Sequence, residues 1–225
     1  MIWSVPKIWK DGICWIIGGG YSVPSQFHIP KNIVRNVKSG KLPISAFSPY
    51  MELLHDKHVI AINGAFRLGD WVDMCFFGDK AWYFKNRSEL LGYKGIVIGC
   101  PEFLKVQGWQ KENVMYLEKN RELYGISKNP SQVCWNFNSG SAAISIAANA
   151  GCKRIILLGF DMNTTNGDTH WHNLYNGATN PFAKHLRGFD KIAADAKERG
   201  IEIINASPNS AITQFQKMNV KDIEL

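Results

Sequence analysis

The sequence predicts an α/β fold, a Rossmann-like parallel sheet with helices on both faces. Three observations predict it. Short, mainly apolar runs recur at 13–17, 58–62, 73–77, 95–98 and 154–158, as in strands buried on both faces. Segments of helical character lie between many of these runs, and strands that alternate with helices pair in parallel. Most runs end in Gly, Asn, Asp or Ser, so polar turns gather at the carboxyl edge of the sheet, where open α/β sheets bind ligands. The 225 residues are enough for one domain with a real core. The expected division is one domain over 1–225, with an irregular excursion at 100–136 and a long polar loop or lid at 163–181.

Residues 13–17, Ile-Cys-Trp-Ile-Ile, form the first strand and run into Gly18-Gly19-Gly20-Tyr21-Ser22. Pro24 then suits the first turn of a helix. Residues 58–62 give a second strand ending at Asn63-Gly64, and 73–77 a third ending at Gly78-Asp79. Lys80 to Leu91 is helical, and 95–98 is the fourth strand. Residues 105–136 mix Trp109, Tyr116, Lys and Glu without a clean period, which predicts an irregular excursion or an extra strand pair. Asn138 to Gly151 is a small-residue helix opened by a Ser-Gly turn, and a strand at 154–158 follows, ending in Gly159-Phe160-Asp161. Residues 163–180 are polar and rich in Gly and Asn; loops beyond ~12–15 residues in compact domains are often functional. Phe182, Leu186, Phe189, Ile192, Ala193 and Ala196 carry a helical period over 182–199. A last strand at 201–204 and a final helix from Ser210 to Met218 complete the chain.

Lys and Arg number 26 against 19 Asp and Glu, a net charge of +7. That balance favours phosphorylated substrates, nucleic acid or anionic membranes, or is simply a solvated basic face. The cations are dispersed, which argues against a dedicated nucleic-acid-binding domain. The five cysteines include no Cys-x-x-Cys pair, which excludes a zinc knuckle. Their odd number, their positions in apolar strands and an amino terminus without a basic and then apolar leader predict a reducing cytoplasm. No stretch approaches ~18 uninterrupted apolar residues, so no membrane span is expected.

Several turns carry candidate chemistry. Gly18, Gly19, Gly20 and Ser22 allow close approach to a phosphate or nucleotide, although the spacing is neither GxGxxG nor a Walker A loop; the alternative is a simple tight turn. Asn63 and Asp79 follow strands two and three and could bond a base, a sugar or a transferred group, or only form Asx turns. Asn138-Ser139-Gly140 opens a helix whose free N–H groups suit phosphate, or serve capping alone. No Gly-x-Ser-x-Gly elbow is present, so Ser139 is not a serine nucleophile. The cluster Asp168-Thr169-His170-Trp171-His172 could supply two imidazole metal ligands with Asp161 or Asp168, a phosphate-binding imidazolium, or a general base; the bland reading is a solvated loop with one packed Trp. His185 is a further base candidate, or an ordinary surface histidine. Ser207, Asn209 and Ser210 follow the last strand, where Ser207 or Asn209 would cap the final helix at the same edge.

These residues resemble two related Rossmann-like groups. Gly18-Gly-Gly-Tyr-Ser22 is similar to the Gly-x-Gly-Pro-Ser turn that opens both the MptE-like (6-hydroxymethylpterin diphosphokinase-like) family and the Campylobacter-type bacterial sialyltransferases. Ala61-Ile-Asn63, Phe77-Gly-Asp79, Asn138-Ser-Gly140 and Leu158-Gly-Phe-Asp161 resemble their later motifs in order, and Ser207-Pro-Asn209-Ser210 resembles the Cys-Pro-Asn-Ser segment of the sialyltransferases. The likeness spans about residues 12–217 with gaps at 100–136, and the His-Trp-His loop is similar to phage-encoded MptE-like members. Tyr21 replaces the proline of the turn and Asp79 an asparagine of the sialyltransferases. The resemblance implies that His185, with Asp190 five positions later, is the general base, and it offers no phosphate-gripping tyrosine beyond Tyr175.

The expected activity is that of a nucleotide-dependent transferase, a sialyltransferase-like glycosyltransferase that uses a nucleotide-activated sugar and needs no cofactor. Gly18–Ser22 and Ser139-Gly140 would hold the donor phosphate, and Asn63 and Asp79 the ribose, sugar or base. Asp161 would orient the site, and His185, His170 or His172 would move the proton. The first alternative is MptE-like diphosphate transfer from ATP to a hydroxymethyl-pterin or similar heterocycle. Mg²⁺ would then be held by Asp79 or Asp161, and Trp82, Tyr83 or Trp171 would stack the heterocycle. The second is a non-catalytic viral module that sequesters a nucleotide. The donor would be a CMP-sugar or ATP-like; the acceptor would be a small molecule, a glycan or nucleic acid, and a homo-oligomer stays open.

Overall fold

The computed structural model describes residues 2–105, 113–164, 169–174 and 182–224. Trp109, Asp168 and Tyr175, and most of the loop at 163–181, lie outside the described residues.

Ten strands are present among them: β1 Ile13–Ile17, β2 His58–Ile62, β3 Met74–Phe77, β4 Ile96–Gly99, β5 Val114–Tyr116, β6 Glu118–Asn120, β7 Gln132–Cys134, β8 Arg154–Leu158, β9 Glu202–Asn205 and β10 Gln216–Lys217. Eight form one sheet in the order β10-β9-β8-β1-β2-β3-β4-β5, and β6 pairs with β7 in a small second sheet. All these pairings are parallel. The helices are α1 Val23–Gln26, α2 Lys31–Lys38, α3 Lys80–Leu91, α4 Ser139–Asn149, α5 Phe182–His185 and α6 Phe189–Glu198.

The alternation of side chains along each strand builds two cores. Trp15, Ile17, Val59, Ala61, Cys75, Phe77, Ile156 and Leu158 face one side and pack against α1, α2, α3 and the 3₁₀ segment 44–54. Cys14, Ile16, Ile60, Ile62, Met74, Phe76, Ile155 and Leu157 face the other and pack against α4 and α6. A strand buried on both faces cannot alternate apolar with polar residues, which is why its sequence is a continuous apolar run. All five cysteines are buried and unpaired, so they act as small core residues. The α/β Rossmann-like class predicted from the sequence is the fold observed.

The chain leaves β1 toward β2 on one side, whereas β8 lies on the other side of β1 and leads to β9. Adjacent parallel strands whose connections diverge open a crevice at their carboxyl ends. Gly18 and Gly159 begin the two diverging turns.

Two expectations need correction. The helix over 182–199 is two helices, α5 and α6, broken at Gly188, which adopts φ 95°. No helix covers 210–218; the chain turns and enters β10, Gln216–Lys217, with a 3₁₀ turn at Val220–Asp222 after it. The cause is tertiary. Ala211 N donates to Asp161 O (2.8 Å), Ile212 N to Ser210 Oγ (3.0 Å), and Ser210 Oγ to Phe160 O (2.6 Å). The last of these ties the chain to Phe160, and Met218 N, which a helix would bond to Gln214, donates instead to Asn205 O (3.2 Å) where β10 pairs with β9. The excursion at 100–136 supplies the sheet's edge strand β5 and the β6–β7 pair, in line with an extra strand pair.

Candidate active site

The glycine turn is shaped first by packing. Gly18 N donates to Leu158 O (2.8 Å) and Gly20 N to Gly159 O (2.9 Å). A Cβ on Gly20 would lie 2.0 Å from Asp161 Oδ2 and 2.5 Å from Gly159 O. Only glycine lets the exits of β1 and β8 run this close. Beneath the turn, Ser22 donates from its N (3.2 Å) and Oγ (3.1 Å) to Asp161 Oδ2. Ser207 Oγ lies 3.1 Å from Ser22 Oγ and accepts from Phe160 N at 3.1 Å. Asp161 is 1% exposed. Burial raises its pKa above the usual carboxylate range, and the Ser22 bonds work against that rise.

Ser22, Asp161, Ser207 and Ser210 thus brace the turn from below, and none of them lines the cavity above it. Asn209 is exposed, and its carbonyl accepts from Asn163 Nδ2 at 2.7 Å. Neither Ser207 nor Asn209 caps a helix, because none follows.

The opening turn of α4 faces the cavity. Its N-cap is Asn138, whose Oδ1 accepts from Ser141 N (2.7 Å) and whose Nδ2 donates to His185 O (3.0 Å). Ser139 and Gly140 occupy the first turn and line the cavity; N–H groups at that position have no intrahelical acceptor and carry the positive end of the helix dipole. Asn136 and Phe137 approach the helix with φ of 48° and 63°. Such values are uncommon outside glycine, and the Asn136 side chain secures them through Gly125 N and O, each at 2.8 Å.

Across the turn, Gly20 bridges His170 in antiparallel fashion, Trp171 N donates to Gly19 O (3.1 Å), and Trp171 Nε1 donates to Gly18 O (2.9 Å). Trp171 is fully buried against Phe47, and Tyr83 is buried against Phe77. Of the three aromatics expected to stack a heterocycle, only Trp82 lines the cavity.

His170, His172 and His185 all line the cavity. Burial lowers the pKa of each, helped at His170 by the His185 charge and at His185 by Lys184. Asp79 acts on His185 in the opposite sense. His172 is pushed down to about 3 by burial, with smaller contributions from His170 and Arg67. Its Nδ1 accepts from Leu174 N (3.3 Å), so the neutral ring carries its proton on Nε2. A histidine that stays neutral is no phosphate-binding imidazolium, which removes that role from His172. Asp190 does not reach His185; its Oδ1 accepts from Gln214 Nε2 at 2.9 Å.

The opposite wall comes from the segment that the sequence left irregular. Lys119 in β6 donates from Nζ to Gly78 O (2.6 Å) and stands 3.8 Å over the Trp135 ring. Arg121, Trp135, Phe137 and Lys184 complete this wall. The signal that could have found Lys119 and Arg121 is two cations two residues apart, one in β6 and one just past its end.

The resulting cavity measures about 520 Å³, within the range of small-molecule sites. Three cations, Lys119, Arg121 and Lys184, face one carboxylate, Asp79. Asp79 sits at the N-cap of α3 and makes no capping bond, and Asn63 Oδ1 is buried without a hydrogen-bond partner.

No family model and no curated protein matches this chain. Solved structures do. The Campylobacter jejuni sialyltransferase CstII in complex with the substrate analogue CMP superposes with a TM-score of 0.51 at 13% identity, covering 92% of this chain and 84% of that one. CST-II in complex with a trisaccharide acceptor and CMP gives 0.50 at 12% identity, covering 95% and 89%. Likeness at this identity establishes a shared fold, the fold of the sialyltransferase group that the motifs resemble.

Of the two residues expected to hold magnesium, Asp79 lines the cavity and Asp161 does not. Asp161 Oδ2 accepts from Ser22 while its Oδ1 is buried without a hydrogen-bond partner, and no cluster of three His, Cys, Asp or Glu suited to a metal occurs among the described residues. The expected ligand-binding residues thus divide: Gly18, Gly19, Gly20, Asn63, Asp79, Asn138, Ser139 and Gly140 line one space with the three histidines, whereas Ser22, Asp161, Ser207, Asn209 and Ser210 do not.

Proposed function

We propose that this chain is a glycosyltransferase that uses a nucleotide-activated sugar. The observation that carries the reading is that one cavity brings an anion site and a proton acceptor together. The open N-terminus of α4, with Lys119 and Arg121, forms an anion site, and His185 with Asp79 forms a proton-accepting site. Ser139 and Gly140 N–H groups, with the two cations, take the donor phosphate. Asn63 and Asp79 take hydroxyl or amino donors of the ribose, base or sugar. His185 is neutral near pH 7, the form a base needs, and Asp79 favours the imidazolium it becomes. His185 accepts the acceptor hydroxyl proton as that oxygen bonds the anomeric carbon. The nucleotide then leaves with its charge at the α4 terminus. His172, at about 3, is too weak a base for this step. Both superposed structures hold CMP, which supports a cytidine nucleotide as the first donor to try.

Diphosphate transfer of the MptE type would need Mg²⁺ at Asp79 or Asp161, and of the two only Asp79 lines the cavity. The test is thermal unfolding with CMP, CDP, UDP, GDP, ATP and pterins, each with and without Mg²⁺. A ligand at a hundred times its Kd adds ~2.7 kcal/mol of stability. The proposal expects a pyrimidine nucleotide to stabilise without Mg²⁺; ATP stabilising only with Mg²⁺ overturns it.

A further inference from the structure

A second, smaller cavity of about 120 Å³ opens beside the first, lined by Arg121, Tyr124, Trp135, Asn136, Phe137 and Lys184. Four of these, Arg121, Trp135, Phe137 and Lys184, also line the large cavity, so the small one is an annex continuous with it. Phe137 lines both. Its left-handed backbone, φ 63°, is a conformation that bulky residues avoid, and such outliers cluster at functional sites. Tyr124, 42% exposed, stands 5.6 Å from the Phe137 ring. Lys184 Nζ and the Arg187 guanidinium lie 5.3 and 5.7 Å from the same ring. The Asn136 side chain is committed to Gly125 and Cys134, so the annex offers a ligand chiefly aromatic faces and cations. No carboxylate lines it among the described residues.

Aromatic faces select a ring, either a base or the apolar face of a sugar. Two cations without an acid select a group of high negative charge, and a phosphate carries about −1.5 to −2 near neutral pH. Arginine adds a planar fork that fits phosphate oxygens.

We propose that the annex is the acceptor subsite and takes a phosphorylated ring, with the ring against Tyr124 and Phe137 and the phosphate on Lys184 and Arg121. As an acceptor assignment this rests on the transferase reading; as a binding site it stands alone. The source of the ring is a sugar phosphate or a nucleoside monophosphate. Arg121 then serves both subsites and holds the donor and acceptor anions at a fixed spacing.

Calorimetric titration of the full chain tests it, with glucose 6-phosphate, AMP, unphosphorylated glucose and, separately, CMP. Glucose 6-phosphate or AMP should bind at least about tenfold more tightly than glucose, a difference of ~1.4 kcal/mol. Tyr124→Ala and Lys184→Gln should each weaken that binding about tenfold, Lys184→Arg should restore most of it, and Tyr124→Ala should leave CMP affinity within about twofold. The stronger of the two phosphorylated probes identifies the ring. Binding of neither, or binding indifferent to Tyr124 and Lys184, overturns the annex. CMP failing to bind while Tyr124→Ala still abolishes phosphate-ring binding removes the donor reading and leaves the annex standing.

Discussion

The two sides of the cavity are built on opposite principles. Below the glycine turn, Ser22, Asp161, Ser207 and Ser210 are buried and hydrogen-bonded to one another or to main chain. Opposite, Lys119, Arg121, Lys184 and His185 project from short elements, at least partly open to solvent. The first side is a brace that fixes where β1 and β8 end. The second is a working surface whose charges have few protein partners to satisfy. The lesson is that a polar residue at a sheet's carboxyl edge is as ready to build the site as to use it. Burial and hydrogen-bond partners separate the two roles.

Substitutions that move activity and stability separately test this division. The largest expected effect is at His185. Alanine there should lower kcat ~10²–10⁴-fold and leave the melting temperature and donor affinity nearly unchanged; normal turnover would remove His185 from the reaction. Asp161→Ala should do the reverse. It strands Ser22 N and leaves Ser22 Oγ with Ser207 Oγ, and an unsatisfied buried group costs ~1–3 kcal/mol. Chemical denaturation should show the loss, and a variant of wild-type stability with a selective fall in kcat would move Asp161 to the working side.

His172 gives a smaller, pH-dependent effect. Its pKa falls from 6.5 to about 3 on folding. The unfolded chain therefore binds the extra proton first. Stability from this group is full above pH ~6.5 and declines on acidification by at most ~1.4 kcal/mol per pH unit, until the folded value is reached. Stability measured from pH 7 to 4 should fall less steeply in a folded His172→Gln variant; equal slopes would show that His172 is not buried neutral. Asn209→Ala, at the exposed edge of the brace, should change stability by no more than ~0.5 kcal/mol.

The sequence makes the central sheet legible because strands buried on both faces carry unbroken apolar runs, as at Ile13–Ile17 and 155–158. It makes the α4 opening legible because Asn138 and Gly140 have strong local preferences at a helix start. Local preference fails where distant partners decide the outcome. Ser210 binds Phe160, fifty residues away, so the expected final helix does not form. Gly188 breaks a run whose apolar period continues through it. Lys119 was hidden because β6 is three residues long, too short for a period to emerge, and Arg121 because it lies just past that strand. Trp171 looked like a stacking platform because nothing local announces its bond to Gly18 O, 153 positions away.

The ammonium of Lys119 stands 3.8 Å over the Trp135 indole. An indole's excited state shifts its electron density, so its emission colour responds to a charge at its face. An anion drawn to Lys119 would partly cancel that charge and change the light leaving Trp135. Of the eight tryptophans, Trp82 and Trp135 line the cavity, so a Trp135→Phe variant should subtract whatever part of an emission change an anion at Lys119 causes.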